Sequence, residues 1–183
     1  TSYCGKLLGK LRHNFYNRLT VVLNILYIDE HIVVVHKPAN LLVHKSMIDR
    51  HETQFLMKML RDQIGQYVYP VHRLDKPTSG VILFALSSEM ARVLAQQFEL
   101  HSIKKEYHAV VRGFAPDSAC IDHALKEKLD PIADKMADQN KAAQEAQTDM
   151  LKLAELSLPI PVGRYPGARF SLVKLLPKTG RKH

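Results

Sequence analysis

His72-Arg73-Leu74-Asp75-Lys76-Pro77-Thr78-Ser79-Gly80 is the stretch from which the rest of the chain can be read. Tyr69 to Leu74 is short and extended, and Asp75 to Gly80 is a loop bounded by proline and glycine. Side chains alternate on an extended segment, so Arg73 and Asp75 share a face while Leu74 points the other way, into the core. A neighbouring cation keeps a carboxylate ionised, and an ionised carboxylate can act as a nucleophile. Pro77 and Gly80 fix the loop's shape, so the carboxylate is placed rather than left waving in solvent. An ordinary salt bridge between Arg73 and Asp75 explains the same spacing, and from spacing alone it is the commoner outcome. His72 reads as a structural loop histidine that bonds backbone.

Working outward, Val81 to Leu86 is continuously apolar and short, which predicts a buried strand. Ser87 then caps a helix whose Met90, Val93, Leu94 and Phe98 form one stripe, expected to be core. Upstream, Asn24 to Ile28 and Ile32 to Val35 are β-branched runs joined by the polar trio Asp29-Glu30-His31, the pattern of a hairpin. Lys37-Pro38-Ala39-Asn40 breaks that pairing, because proline removes a ladder donor. Phe55, Leu56, Met59 and Leu60 lie at helical spacing and predict a helix over 52–64. Downstream, Glu106 to Val111 is a strand ended by Gly113. Residues 115–146 alternate charges with alanines and read as a helical or mobile excursion, and strands resume at 148–155 and 169–176. No repeat of 20–50 residues is apparent. The class is α/β in the wide sense, α+β rather than regular βαβ alternation.

The chain has 183 residues, 46% of them hydrophobic, which supports one domain with a real core. Residues 1–22 are a basic, poorly patterned arm expected to be flexible, and 23–183 form the domain. The formal net charge of +8 suits a polyanionic partner such as nucleic acid. Cys4 and Cys120 stand far apart, and the ten histidines show no metal-ligand spacing, so neither a disulfide framework nor a metal site is expected. No apolar run approaches the roughly 20 residues that span a bilayer. The expectation is a soluble, cytoplasmic protein with no membrane contact, a monomer by default.

His72-Arg73-Leu74-Asp75 followed by Thr78-Ser79-Gly80 resembles the signature motif of the RluA family of pseudouridine synthases. Three further segments resemble that family in the same order: Asp29 to Asn40, Lys104 to Gly113, and Lys178 to His183. Asp62 to Gln66, Leu94 to Phe98, Leu129 to Met136 and Gly163 to Pro166 resemble the branch that modifies tRNA, whose assigned target is uridine-65 of the T stem. The resemblance implies a mixed, mainly antiparallel sheet with flanking helices and a central catalytic cleft. It implies an isomerase that needs neither cofactor nor metal, with tRNA as partner and ribosomal RNA as the alternative. A synthase fold that binds RNA without chemistry is the rival from another class.

By the same resemblance Asp75 is the nucleophile. Tyr107 stacks on the target uracil and can take part in proton transfer, and Arg73 helps hold the flipped base outside its helix. Lys104, Lys105 and Arg181 are candidate RNA contacts, with Arg112, Arg164, Arg169, Lys178 and Lys182 as further phosphate candidates. Family members place an arginine beyond the point matched by His183 that pairs with the aspartate, and Arg181 is not that arginine. The 183 residues alone are therefore expected to be an inactive and poorly stable piece of the enzyme.

Overall fold

A computed structural model describes residues 22–44, 54–126 and 142–179. The first strand pair forms where the β-branched runs require it, as β1 (Asn24–Ile28) and β2 (Ile32–Lys37) in antiparallel register. Asp29 makes the turn between them: its carboxylate accepts the N–H groups of His31 and Ile32, both at 2.8 Å. An aspartate that satisfies two turn donors locally competes well with continued strand.

Helix α1 (Leu56–Ile64) begins without a side-chain cap at Phe55. Its first N–H groups are instead taken by the preceding chain, Leu56 donating to Leu42 O (2.9 Å) and Met57 to Val43 O (3.0 Å). Those donors have no partner within a helix, so an external acceptor fixes where it starts. Gly65, at φ 67°, ends it in the left-handed conformation. The predicted helix is thus shorter at its start, and residues 45–53 lie outside the described ones.

β3 (Tyr69–Pro70) is very short, and β4 (Gly80–Ala85) lies between it and β2, giving the sheet order β1-β2-β4-β3. Val33 and Val35 of β2, Ile82 and Phe84 of β4, and Leu56 and Leu60 of α1 are fully buried together. Helix α2 (Ser88–Glu99) follows with Ser87 as its N-cap, the hydroxyl accepting the Met90 N–H at 3.1 Å. Its stripe is not core, contrary to the sequence reading. Val93 is 42% exposed, and Met90, Leu94 and Phe98 are only half-buried. Periodicity shows which face of a helix is apolar, while the depth of burial depends on what packs against it.

The second sheet has the order β5-β8-β7-β6 and is built from β5 (Tyr107–Arg112), β6 (Ser118–Asp122), β7 (Gln147–Leu158) and β8 (Ala168–Pro177). β7 and β8 are longer than predicted and form one hairpin, with a bulge between Lys152 and Ala154. β6 corrects the reading of 115–146 as helical or mobile at that point, whereas 127–141 lie outside the described residues. Every named strand pairing is antiparallel, and the fold is α+β with two helices among the described residues. Tyr107 joins the two halves, since it opens β5 and packs against the core of the first sheet. None of these helices is long and apolar enough to cross a membrane.

Candidate catalytic site

The site begins where β3 stops. Past Pro70 the chain leaves the sheet, and His72 to Asp75 run without regular structure into a turn closed by Thr78 N–H donating to Asp75 O at 3.0 Å. Leu74 sinks into the first core at 9% exposure, as its alternation requires. Gly80 sits at φ 139°, a backbone conformation that side-chain-bearing residues rarely adopt, and lets the loop rejoin β4 over Leu74. Arg73 and Asp75 on the other face are exposed. They form no ion pair with each other, so the ordinary salt bridge that spacing alone favoured is not what the loop makes.

Lys37 is the residue that sequence reasoning missed. It continues the alternation of Val33 and Val35 and is fully buried. Its ammonium donates to three carbonyls, Leu41 O at 2.8 Å, Pro38 O at 3.0 Å and Lys76 O at 3.1 Å. The last contact ties the loop directly behind Asp75 to the end of β2. Burial pushes the Lys37 ammonium below the usual lysine range, and the Asp75 carboxylate pulls it back up. The signal was present in the period-2 pattern, but a lysine before a proline reads as a strand end turned to water.

His72 faces inward, and its Nε2 accepts the Leu83 N–H of β4 at 3.0 Å. Its ring stacks on Phe98 of α2, with centroids 4.6 Å apart and planes inclined by 25°. Burial, together with the positive charge of Lys105, pushes its pKa down to about 4, so the imidazole is neutral at pH 7. The structural role expected for this histidine is the one observed.

Tyr107 is half-buried, and both burial and the Asp75 charge raise its pKa above the usual phenol range. The Asp75 charge acts on both Lys37 and Tyr107, and Tyr107 packs against the same core into which Leu74 sinks. Lys105 borders them, partly buried, with its Nζ 3.4 Å from Thr179 O and its pKa lowered by burial. Lys104 beside it is exposed.

The remaining basic candidates scatter. Lys178 is paired with Asp149 at 2.9 Å. Arg164 lies over Tyr165, and Arg169 over Phe114, at the far end of the second sheet. Arg112 is exposed at the end of β5, and Arg181 and Lys182 lie outside the described residues. An apolar groove lined by Val110, Leu156, Phe170 and Leu172 opens on the face of β5 and β8 opposite Tyr107, away from this chemistry. Among the described residues no three His, Cys, Asp or Glu side chains cluster in a way that could hold a metal ion.

What this arrangement can do is present a carboxylate outward on a rigid turn, beside an arginine and a half-buried phenol ring. The sequence profile of the family described as RNA pseudouridylate synthase matches residues 31–183. The tRNA pseudouridine synthase C of Pasteurella multocida (strain Pm70) is 58% identical over 163 residues, 89% of this chain and 67% of that protein. Its counterpart from Yersinia pestis is 57% identical over 162 residues, 88% of this chain and 63% of that protein. The one from Pectobacterium carotovorum subsp. carotovorum is also 57% identical over 162 residues, which is 43% of its length. This chain therefore spans between 43% and 67% of these three relatives. Among solved structures, Human RNA Pseudouridylate Synthase Domain Containing 1 superimposes with a TM-score of 0.64 at 26% identity, covering 87% of this chain and 60% of that one.

Proposed function

The chain belongs to the RNA pseudouridylate synthase family, and from that premise we propose that it carries the catalytic face of a tRNA pseudouridine synthase with Asp75 as nucleophile. Identity above 50% to proteins named tRNA pseudouridine synthase C supports tRNA as the substrate. The observation that carries the chemistry is the turn at Asp75. Its backbone is held by Thr78, Leu74 and Lys37, while its side chain stays exposed and its charge reaches Tyr107.

The reaction breaks the bond from ribose C1′ to N1 of uracil, turns the base, and rebonds it through C5. As the new bond forms the C5–H bond breaks and that proton is released, while N1 takes up a proton, so the composition of the nucleotide is unchanged and no oxidant or reductant is consumed. Asp75 enters as the nucleophile. Tyr107 offers a ring on which the uracil stacks and a hydroxyl within the site for proton transfer. A phenol is protonated at neutral pH, and burial with the Asp75 charge raises its pKa further, so the hydroxyl enters as a donor. A uridine paired in the T stem, uridine-65 in this reading, must first leave its helix at a cost of a few kcal/mol. Arg73, exposed next to Asp75, has the planar cation suited to fill the gap. Lys104, Lys105 and Arg181 supply phosphate contacts.

The test uses unmodified tRNA transcript and maps pseudouridine by carbodiimide adducts and primer extension. The chain is assayed as its 183 residues, and also continued with the part of the Pasteurella multocida relative that follows the match. A single new stop in the T stem that vanishes in Asp75→Ala is the expected result. A stop in ribosomal RNA instead would keep Asp75 and change the substrate. Tight RNA binding with no stop in either RNA, in both forms, would refute the catalytic reading.

A further inference from the structure

We propose that His72 is a positioning residue whose imidazole stands in for a missing strand, accepting the Leu83 N–H where β3 leaves β4 and so fixing the point from which Arg73 and Asp75 depart. β3 pairs with β4 at Tyr69 with Ala85 and Pro70 with Phe84, and there it ends. One further step of the same antiparallel register would set Val71 opposite Leu83, but the chain bends at Val71 and turns away. On its other side β4 is paired along its whole length with β2, Leu83 standing opposite Val34. The early end of β3 therefore leaves a backbone donor of the inner strand facing an open edge.

Backbone donors inside a protein are almost always satisfied, and here a side chain does it. Nε2 of His72 receives the Leu83 N–H at 3.0 Å. Accepting through Nε2 requires that nitrogen to be unprotonated, with the ring proton on Nδ1. Phe98 of α2 covers one face of the ring, and Lys105, ahead of β5, is the charged group acting on it. Three parts of the fold thus act on the imidazole: β4 by hydrogen bond, α2 by stacking, and Lys105 before β5 by charge.

The consequence for the site is geometric. The segment is held after Asp75 by the Lys37 bond to Lys76 O and in its middle by buried Leu74. His72 supplies the hold before it. Without that bond the segment can slide along β4 or rotate about Leu74, and both motions move the Asp75 carboxylate. Misplacing a reacting group by about 1 Å costs on the order of a hundredfold in rate. The inference rests on the reading of Asp75 as nucleophile.

The experiment compares His72→Phe and His72→Gln in the extended chain used for the tRNA assay. Phenylalanine keeps a ring for stacking on Phe98 and removes the acceptor, whereas glutamine places Oε1 close to where Nε2 stands. We expect His72→Phe to lower kcat roughly tenfold or more while KM for tRNA changes less than about twofold, with His72→Gln recovering most of the loss. Leu83 amide exchange, read by NMR, should speed up in His72→Phe and return towards wild type in His72→Gln. Wild-type kcat in a folded His72→Phe protein would overturn the positioning role, and an unchanged Leu83 amide would overturn the ladder contact. Equal kcat losses in both variants would leave His72 merely structural and reject the proposal. An inactive wild type would strike the Asp75 reading itself, and the Leu83 exchange would still judge the contact.

Discussion

Acid should weaken this fold through His72 well before the carboxylates respond. A histidine ordinarily titrates near 6.5, and in the folded chain His72 does so at about 4. The unfolded chain therefore takes up this proton first as the pH falls. The stabilisation from keeping the ring neutral is complete above about pH 6.5 and drains away as the pH drops towards 4. At 1.36 kcal/mol for each tenfold difference in proton affinity, the whole effect is about 3 kcal/mol, of which about 2 kcal/mol is lost between pH 7 and 4.5. Stopping at pH 4.5 avoids most of the contribution of the acids whose pKa values the fold lowers, Asp29, Glu106 and Asp117, which ordinarily titrate at 3.8 to 4.5. Urea unfolding of wild type and His72→Gln at pH 7, 6, 5 and 4.5 isolates the term. The wild-type unfolding free energy should fall more steeply, and the gap between the two proteins should narrow by about 2 kcal/mol across the series. Parallel curves would show that His72 is not held neutral by its burial against β4 and α2, and would refute the reasoning.

Lys37→Met should leave three half-buried carbonyls without their donor and destabilise the chain by about 1–3 kcal/mol, read as a lower urea midpoint at unchanged m-value. Gly80→Ala meets no close atom, since Leu74 Cδ1 would stand 4.0 Å from the new methyl group. Its cost comes from the backbone at φ 139°, about 1–2 kcal/mol by thermal melting, and a neutral result would mean that the loop can relax. Asp75→Ala should leave the unfolding free energy from urea titration within about 0.5 kcal/mol of wild type while abolishing pseudouridine formation, because the side chain is exposed.

Much of the fold was legible because local and tertiary preferences agree. The β1–β2 hairpin follows from two β-branched runs and an aspartate at the turn, and α2 starts at the serine that caps it. β6 was not legible: Ile121 is its only large apolar side chain, and as an edge strand it stays almost wholly exposed, so no alternation marks it. The stripe on α2 was assigned to the right face but to the wrong depth. At the site, Leu74 pointing inward while Arg73 and Asp75 stay exposed follows from alternation alone, and His72 bonding backbone was foreseen. Lys37 was not, because a strand pattern that ends in lysine suggests solvent, and only the fold shows that three carbonyls meet there.

Sheet and loop divide the work at Asp75. A carboxylate held by its own hydrogen bonds would be well placed, but each donor would stabilise its charge and blunt it as a nucleophile. Here the constraints fall on neighbours: His72 on β4, Leu74 in the core, the Asp75 carbonyl on Thr78, and the Lys76 carbonyl on Lys37. The placement of the carboxylate is thus carried by backbone and flanking side chains, so the fold itself fixes it in space. The early end of β3 is what makes this possible. A β3 that continued through residues 71–75 would place Asp75 in the ladder, with its side chain committed to one face of the sheet. Ending the strand at Pro70, and letting an imidazole satisfy the donor left behind, frees the backbone to turn while keeping β4 intact.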